Sequence, residues 1–247
     1  MKFIPTILLM CIAVLPSSAQ NSIQEYKALF YSYYVKNDFQ QWAQTLTKME
    51  TYVARNPNRS HLYELSLAQY GLLGFYRESK QTDKGVALLR KAEKTVDKML
   101  ALDDKWAFAN CLKGAMLGLE TEFYPAKVVY LGPRALSYYG DGRELASNQP
   151  EAYVELANLA YHAPEVFGGD KEEAVAYFQK AIKLYDQNPA LRQNNWQYLH
   201  SLAWLARAHI ALGNKTAAGE TIDKLRRYSP NFHFLNSVLV PEYSRLK

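Results

Sequence analysis

Cysteine is scarce in this sequence, and its scarcity excludes a disulfide-stabilised fold. The 247 residues contain two cysteines, Cys11 and Cys111, and Cys11 falls within an apolar run near the start of the chain. If that run is removed, one thiol remains and no internal disulfide can form. Stability must then come from a hydrophobic core, for which 49% apolar residues are ample at this length. Cys111 lies in an apolar helical run and is predicted to be a small buried hydrophobe, not a nucleophile.

A strong excess of charge of one sign is also missing. The chain has 29 Lys and Arg against 24 Asp and Glu, a net charge of +5 at pH 7. Proteins that bind nucleic acid concentrate basic residues on one face, whereas the densest cluster here is the short run of Lys224, Arg226 and Arg227. Cations in such a run are favoured at the C-terminal end of a helix. We therefore predict no nucleic-acid partner.

Motifs for metal, cofactor or nucleophilic chemistry do not occur in the sequence. The histidines are never three or four residues apart, and there is no Cys-x-x-Cys pair, Gly-x-Ser-x-Gly elbow or phosphate-binding loop. We predict no metal site, no cofactor and no enzymatic activity. Two carboxylates from distant segments could still converge, as in a glycosidase. An undetected hydrolase therefore stays as the least favoured hypothesis.

The first residues have the pattern of a signal peptide. Lys2 supplies the charged flank, residues 3–15 form an apolar core, and residues 17–19 are small. We predict a signal peptide over residues 1–19 that is cleaved after Ala19. The mature protein is then expected in the periplasm, associated with the outer membrane, or secreted.

Attachment to the membrane is the alternative to a freely exported chain. Leu8–Cys11 is similar to a lipoprotein box, but the bulky Met10 before the cysteine disfavours lipidation. No later segment approaches the roughly 20 apolar residues that a membrane-spanning helix needs. We therefore predict no membrane span.

The clearest internal pattern is a 34-residue unit from Leu199 to Phe232. Apolar and small residues recur at helical spacing in two blocks, Leu202, Leu205, Ala206 and His209, and then Ala218, Ile222 and Leu225. Each block forms one stripe of a helix. Gly213 allows the turn between the blocks, and Pro230 ends the second. The unit is therefore predicted to be a hairpin of two closely packed helices.

The same spacing recurs in four units upstream, the third of which has about 11 extra residues between its helices. Leu235–Leu246 follows the last unit and is predicted to be a capping helix over its apolar face. The alternating pattern typical of strands does not occur. The sequence therefore predicts an all-α fold, a right-handed α-α superhelix of about five helical hairpins plus the cap, as one repeat domain over residues 22–247.

The 34-residue unit resembles the tetratricopeptide repeat (TPR). A narrower resemblance covers about 45 residues and includes Leu131–Ala135, Asn148–Ala152 and Ala163–Ala174, where a proline is followed by Phe-Gly-Gly. These segments are similar to exported TPR proteins of Bacteroidetes-type bacteria and, more distantly, to periplasmic TPR proteins associated with TRAP-type transporters. In the latter a repeat scaffold works beside a solute-binding partner. The resemblance implies a fold and a compartment, and it carries no activity.

The turn Pro164–Glu173 has two interpretations. Gly168 and Gly169 before a helix could offer backbone N–H groups to an anion. Asp170 and Glu173 have the spacing of a capping box, which would place an acidic cap where the anion would bind. We favour the structural interpretation.

The repeat predicts a concave groove lined by the first helix of each hairpin. The residues that we assign to a binding site in this groove are Phe75, Tyr76, Met116, Tyr161, His200, Arg207 and Ile210. This mostly apolar lining suits a protein or peptide partner, or a small amphipathic ligand. The alternative, that the capping helix or the loop Thr121–Pro133 fills the groove, stays open at this point.

Two functions follow from these features. The leading hypothesis is a non-enzymatic exported TPR scaffold that binds a protein or peptide partner in the bacterial envelope through its first-helix concave face. The alternative is a periplasmic ligand-binding accessory of a transporter, of the TRAP-associated type.

Overall fold

The structure, a computed structural model, describes residues 22–246, and every regular element in that range is helical. The predicted signal peptide and Cys11 lie outside the described residues. The α-helices are, in chain order, α1 (Ile23–Lys36), α2 (Phe39–Arg55), α3 (Arg59–Glu78), α4 (Thr82–Leu102), α5 (Ala107–Phe123), α6 (Val128–Leu145), α7 (Pro150–His162), α8 (Lys171–Gln187), α9 (Pro189–Arg192), α10 (Trp196–Ala211), α11 (Lys215–Tyr228) and α12 (Val240–Ser244).

Five helical hairpins follow one another along the chain: α1–α2, α3–α4, α5–α6, α7–α8 and α10–α11. Each helix contacts its hairpin partner, and each hairpin contacts the next. The predicted all-α solenoid of five hairpins is therefore confirmed. We call α1, α3, α5, α7 and α10 the first helices, and the surface they share the first-helix face.

Local sequence signals explain where several helices begin and end. At the start of α1, the Glu25 N–H donates to Ser22 Oγ at 3.3 Å and the Ser22 N–H donates to Glu25 Oε2 at 2.6 Å. This reciprocal capping box satisfies two backbone N–H groups that the helix leaves free. Between α10 and α11, Gly213 has a φ of 73°. Glycine adopts this left-handed conformation at little steric cost.

Small residues at the predicted contact positions allow the helices to approach closely. Ala206 of α10 and Ala218 of α11 are both fully buried. In the third hairpin, a Cβ on Gly142 would lie 2.3 Å from Cys111 Sγ, so only glycine fits there. Cys111 is itself fully buried, and burial raises the pKa of its thiol. It is the buried hydrophobe that the sequence predicts.

The extra residues of the irregular hairpins form short helical turns. A one-turn 3₁₀ helix, Pro125–Lys127, joins α5 to α6, and another, Glu165–Phe167, joins α7 to α8. The four-residue α9 lies between the fourth and fifth hairpins. Two of these insertions lie within hairpins and the third lies between two hairpins, and the order of the hairpins is unchanged.

The end of the described chain covers the last hairpin, as predicted. Leu235–Leu239 is a π-helical segment that continues into α12. Leu235 and Leu239 are fully buried in the core of the last two hairpins. Within residues 22–246, no helix combines the length and apolarity that spanning a membrane requires.

The two ends of the solenoid touch each other. The ring centroid of Tyr34 on α1 lies 5.3 Å from that of Trp196 on α10 and 5.3 Å from that of Phe232. Trp42 on α2 also packs against Trp196, with 5.7 Å between ring centroids. The first hairpin therefore closes over the fifth and turns the first-helix face inward.

Candidate functional site

A cavity of about 440 Å³ lies at the centre of the first-helix face, and we call it the central cavity. All five first helices contribute residues to its wall, together with the segment 232–238. Its aromatic residues are Tyr34, Phe39, Tyr70, Phe75, Trp196, Trp204, Phe232 and Phe234. A cavity of this size that combines several aromatic side chains with convergent polar groups has the properties of a ligand site.

A hydrogen-bonded network crosses one wall of the central cavity. Asn158 Nδ2 donates to Glu155 Oε2 at 3.3 Å, and Gln197 Nε2 donates to Glu155 Oε1 at 3.3 Å. Because the Asn158 nitrogen is used on Glu155, its Oδ1 accepts from His200 Nε2–H at 2.9 Å. His200 Nδ1 then accepts from the Tyr34 hydroxyl at 3.3 Å. We call these five side chains the polar network, which joins α1, α7 and α10.

Burial sets the protonation of the polar network. Glu155 has no exposed surface, and burial raises the pKa of its carboxyl to about 7 although hydrogen bonds from Tyr70 and Asn158 oppose the increase. Burial also lowers the pKa of His200 to about 3, with smaller contributions from His162 and Arg77. At neutral pH, His200 is therefore the neutral ring that its two hydrogen bonds require.

Positive charge at the cavity is confined to its rim. Arg77 is the only lysine or arginine among the described residues that line the central cavity. Its guanidinium lies 3.6 Å from Glu122 and 3.7 Å from Glu78. His162 lies at the mouth, where partial burial and the nearby Arg77 lower the pKa of its ring. The charge of Arg77 is thus balanced by carboxylates, and the imidazole adds none at neutral pH.

A second cavity of about 300 Å³ adjoins the first, and we call it the edge cavity. The two cavities share Tyr70, Arg77, Leu119, Asn158 and His162. The rest of the wall is mostly apolar and includes Gly118, Val128, Gly132, Leu136, Leu159 and Phe167. The first-helix face therefore opens, past Arg77, towards the connections of the third and fourth hairpins.

Four large apolar side chains at or beside these connections are exposed to solvent: Tyr124 after α5, Val129 and Tyr130 in the first turn of α6, and Val166 on the α7–α8 connection. We call them the apolar edge, and their exposed fractions are 39% for Tyr124, 81% for Val129, 53% for Tyr130 and 83% for Val166. Phe167, on the α7–α8 connection, packs against α6, and its Cε1 lies 3.1 Å from the position that a Cβ on Gly132 would take. Exposed large apolar side chains on neighbouring segments are candidates for a binding surface.

The structure places two of the seven predicted site residues in the central cavity. Phe75 and His200 line it, and the Phe75 ring stacks on Phe39 with 4.3 Å between ring centroids. Met116 is fully buried in the core. The assignment of Met116 to the groove therefore needs correction, because the packing of α5 against its neighbours leaves that side chain no exposed surface.

The other four predicted residues do not line either cavity. Arg207 donates two hydrogen bonds to the Glu242 carboxylate on α12, at 2.9 and 3.1 Å. Tyr161 packs against Trp204, with 5.1 Å between ring centroids. Tyr76 and Ile210 are half-buried elsewhere. The capping segment thus covers the Arg207 end of the face, and the seven residues do not form one continuous groove.

Several residues of the site were missed from the sequence. Glu155 and Asn158 stand three residues apart within the otherwise apolar run Ala152–Ala160. Polar residues at that spacing share one face of a helix, which is a usable signal for a buried polar pair. Trp196 and Trp204 give no comparable signal, because a tryptophan in a repeat fits a core position equally well.

The turn before α8 caps the helix through Asp170, as the structural interpretation requires, but the Glu173 half of the predicted capping box is not formed. Glu173 Oε1 instead accepts a hydrogen bond from the Tyr177 hydroxyl at 2.9 Å. The N–H groups of Glu172 and Glu173 donate to Asp170 Oδ1 at 2.8 and 3.1 Å, so the helix is capped internally. Gly168 has a φ of 87°. Between residues 22 and 246, no group of three or more His, Cys, Asp or Glu side chains is arranged to hold a metal ion.

Comparisons with known proteins agree with the hairpin architecture. The family model of the tetratricopeptide repeat matches residues 167–188. The fold is similar to that of a thermophilic TPR protein from Thermus thermophilus, with a TM-score of 0.59 and 14% identity, over 90% of this chain and 98% of that chain. Among curated proteins, none matches the sequence. These findings support a TPR-type solenoid, and at this identity the structural likeness concerns the fold alone.

Proposed function

We propose that this protein is a non-enzymatic TPR-type scaffold of the bacterial envelope that binds a protein or peptide partner through its first-helix face. The observation that carries the proposal is that the exposed Val129 and Val166 adjoin in the chain Val128 and Phe167, which line the edge cavity. A small molecule held in the edge cavity would leave Val129 and Val166 in water. A peptide that places one apolar side chain in the cavity can cover the exposed residues with the next, so a polypeptide fits this surface better.

Export is part of the proposal and is supported by the residues at the start of the chain. The charged, apolar and small-residue regions of residues 1–19 match a signal peptide. Mass spectrometry of the protein isolated from envelope fractions should give a chain that begins at Gln20. A cytoplasmic chain that keeps residues 1–19 would refute export without affecting the binding surface.

Partner binding is tested by filling the edge cavity. A Cβ on Gly118 meets no heavy atom within 4 Å, and leucine is a better helix former than glycine, so Gly118→Leu should fold while occupying the cavity. A double variant, Val129→Ser with Tyr130→Ser, removes apolar surface from the apolar edge. The matched control is Gly140→Leu, at an exposed helical position where a Cβ also meets nothing within 4 Å.

The measurement is crosslinking and capture from an envelope extract, followed by titration of the identified partner. We expect both edge variants to weaken that partner's binding at least tenfold, because hot-spot residues dominate such interfaces. Gly140→Leu should bind as the unmodified protein does. Equal binding by all four proteins would reject the edge cavity as the binding surface.

A ligand-binding accessory of a transporter, of the TRAP-associated type, is the second candidate function. The observation in its favour is the contact between α1 and α10, which narrows the first-helix face to a cavity of small-molecule size, about 440 Å³. Native mass spectrometry of the purified mature protein should then show a bound small molecule. A mass equal to that of the bare polypeptide in every preparation would count against this function.

A further inference from the structure

We propose that the central cavity binds an uncharged small molecule with an aromatic or similarly apolar body. The proposal deepens the second candidate function by naming the class of ligand. It is independent of any partner at the apolar edge, which lies outside the central cavity.

The aromatic side chains in the wall of the central cavity favour a ligand with an aromatic or similarly apolar body. Eight aromatic side chains line it, and Trp196 and Trp204 approach it from the same helix, α10. Aromatic faces and edges attract ring systems in offset-stacked and edge-to-face arrangements. The volume of about 440 Å³ is within the range of pockets that hold drug-sized molecules.

The polar groups of the wall disfavour a charged ligand. The two Glu155 oxygens accept from Asn158 and Gln197, and Glu155 has no exposed surface, so its carboxylate is not available to a ligand cation. The His200 ring nitrogens are both engaged in hydrogen bonds. Besides Glu155, the charged side chains among the described lining residues are Arg77 and Glu78 at the rim. They lie 3.7 Å apart, and Arg77 also lies 3.6 Å from Glu122, so each rim charge already has a partner.

A charged ligand would therefore lose its hydration and meet, at the rim, only charges that are already paired with each other. That loss is costly in an apolar cavity, whereas an uncharged aromatic molecule gains from leaving water. The wall thus favours an uncharged ligand over a charged one.

Two fluorescent probes with the same ring body test this selectivity. N-phenyl-1-naphthylamine is uncharged, and 1-anilinonaphthalene-8-sulfonate is the same molecule with an added sulfonate. We expect the mature protein to bind the uncharged probe at least tenfold more tightly. Energy transfer from tryptophan to the bound probe should decrease in Trp204→Phe. Equal affinity for the two probes, or no binding of the uncharged probe, would overturn the proposal.

Cavity-filling variants locate the bound probe. Gly74 lines the central cavity, and a Cβ there meets no heavy atom within 4 Å. Gly74→Leu should therefore fold and weaken binding of the uncharged probe at least tenfold. Gly118→Leu, which fills the edge cavity, and the exposed control Gly140→Leu should leave it unchanged.

The same variants separate this proposal from the proposed functions. Unchanged probe binding in Gly74→Leu, or a loss confined to Gly118→Leu, would place the probe elsewhere and overturn the inference. If Gly118→Leu loses partner capture and Gly74→Leu retains it, the scaffold function is supported whether or not the central cavity binds the probe. Native mass spectrometry that finds a charged natural ligand would overturn the ligand class while supporting the transporter-accessory function.

Discussion

The free energy of unfolding of Glu155→Gln, measured relative to that of the wild type, should increase as the pH rises from 5 to 8. Burial raises the pKa of the Glu155 carboxyl from 4.5 to about 7 in the folded protein. The unfolded chain exposes the carboxyl, which then titrates near its ordinary value. Between these two pH values the folded state holds a proton that the unfolded state has lost. This contribution to stability is complete below pH 4.5 and is lost as the pH rises through 7.

The magnitude follows from the difference between the two pKa values. One pKa unit corresponds to about 1.4 kcal/mol, so the change from 4.5 to about 7 amounts to about 3 kcal/mol in the free energy of unfolding. His200 acts in the opposite direction, because its pKa is lowered from 6.5 to about 3 and its stabilising contribution is lost as the pH falls. Wild type and variant both contain His200. The effect of His200 therefore cancels when the free energy of unfolding of the wild type is subtracted from that of the variant at the same pH.

The assay is urea unfolding followed by far-ultraviolet circular dichroism at pH 5, 6, 7 and 8. The glutamine side chain does not titrate, so any change in hydrogen bonding within the polar network adds a constant offset at every pH. Glu165→Gln, which removes an exposed carboxylate on the α7–α8 connection, is the matched control for the change of Glu to Gln. If the difference in free energy of unfolding between Glu155→Gln and the wild type does not change between pH 5 and pH 8, the burial of this carboxyl is refuted.

Three further predictions concern packing and closure, each measured as the free energy of unfolding in urea. Gly142→Ala should cost about 1–3 kcal/mol because its Cβ would overlap Cys111, whereas Gly140→Ala should cost nothing; equal effects would contradict the tight packing of α5 on α6. Tyr34→Phe should cost about 1 kcal/mol for its lost hydrogen bond to His200, and no loss would mean that the bond is not made in solution. Arg207→Ala should cost less than about 1 kcal/mol, because its ion pair is partly exposed; a much larger loss would show that the pair anchors the capping segment.

The hairpins could be predicted from the sequence because their cause is local. The stripe of Leu202, Leu205 and Ala206 has the 3.6-residue period of a helix, and Gly213 marks the turn after it. Neither signal depends on distant parts of the chain. Helix pairing and order then follow from short connections.

The site could be predicted only in part, because it depends on how tightly the solenoid winds. A groove assignment from the sequence assumes that every hairpin stacks with the same rotation. His200 occupies the expected inner face, but Met116 is covered by packing and Arg207 by the capping segment. The contact of Tyr34 with Trp196 joins residues from opposite ends of the chain. No short-range pattern in the sequence encodes that contact.

Closure of the ends also changes how the molecule should unfold. In an open repeat array each repeat touches only its neighbours, so the array can fray from either end and tolerates the loss of a terminal repeat. Here the Tyr34–His200 hydrogen bond spans 166 positions of sequence, and removal of the first hairpin would uncover Trp196 and Phe232. The two terminal repeats therefore support each other. Such a ring-like contact raises the contact order, slows folding and favours cooperative unfolding of the whole chain over stepwise unravelling.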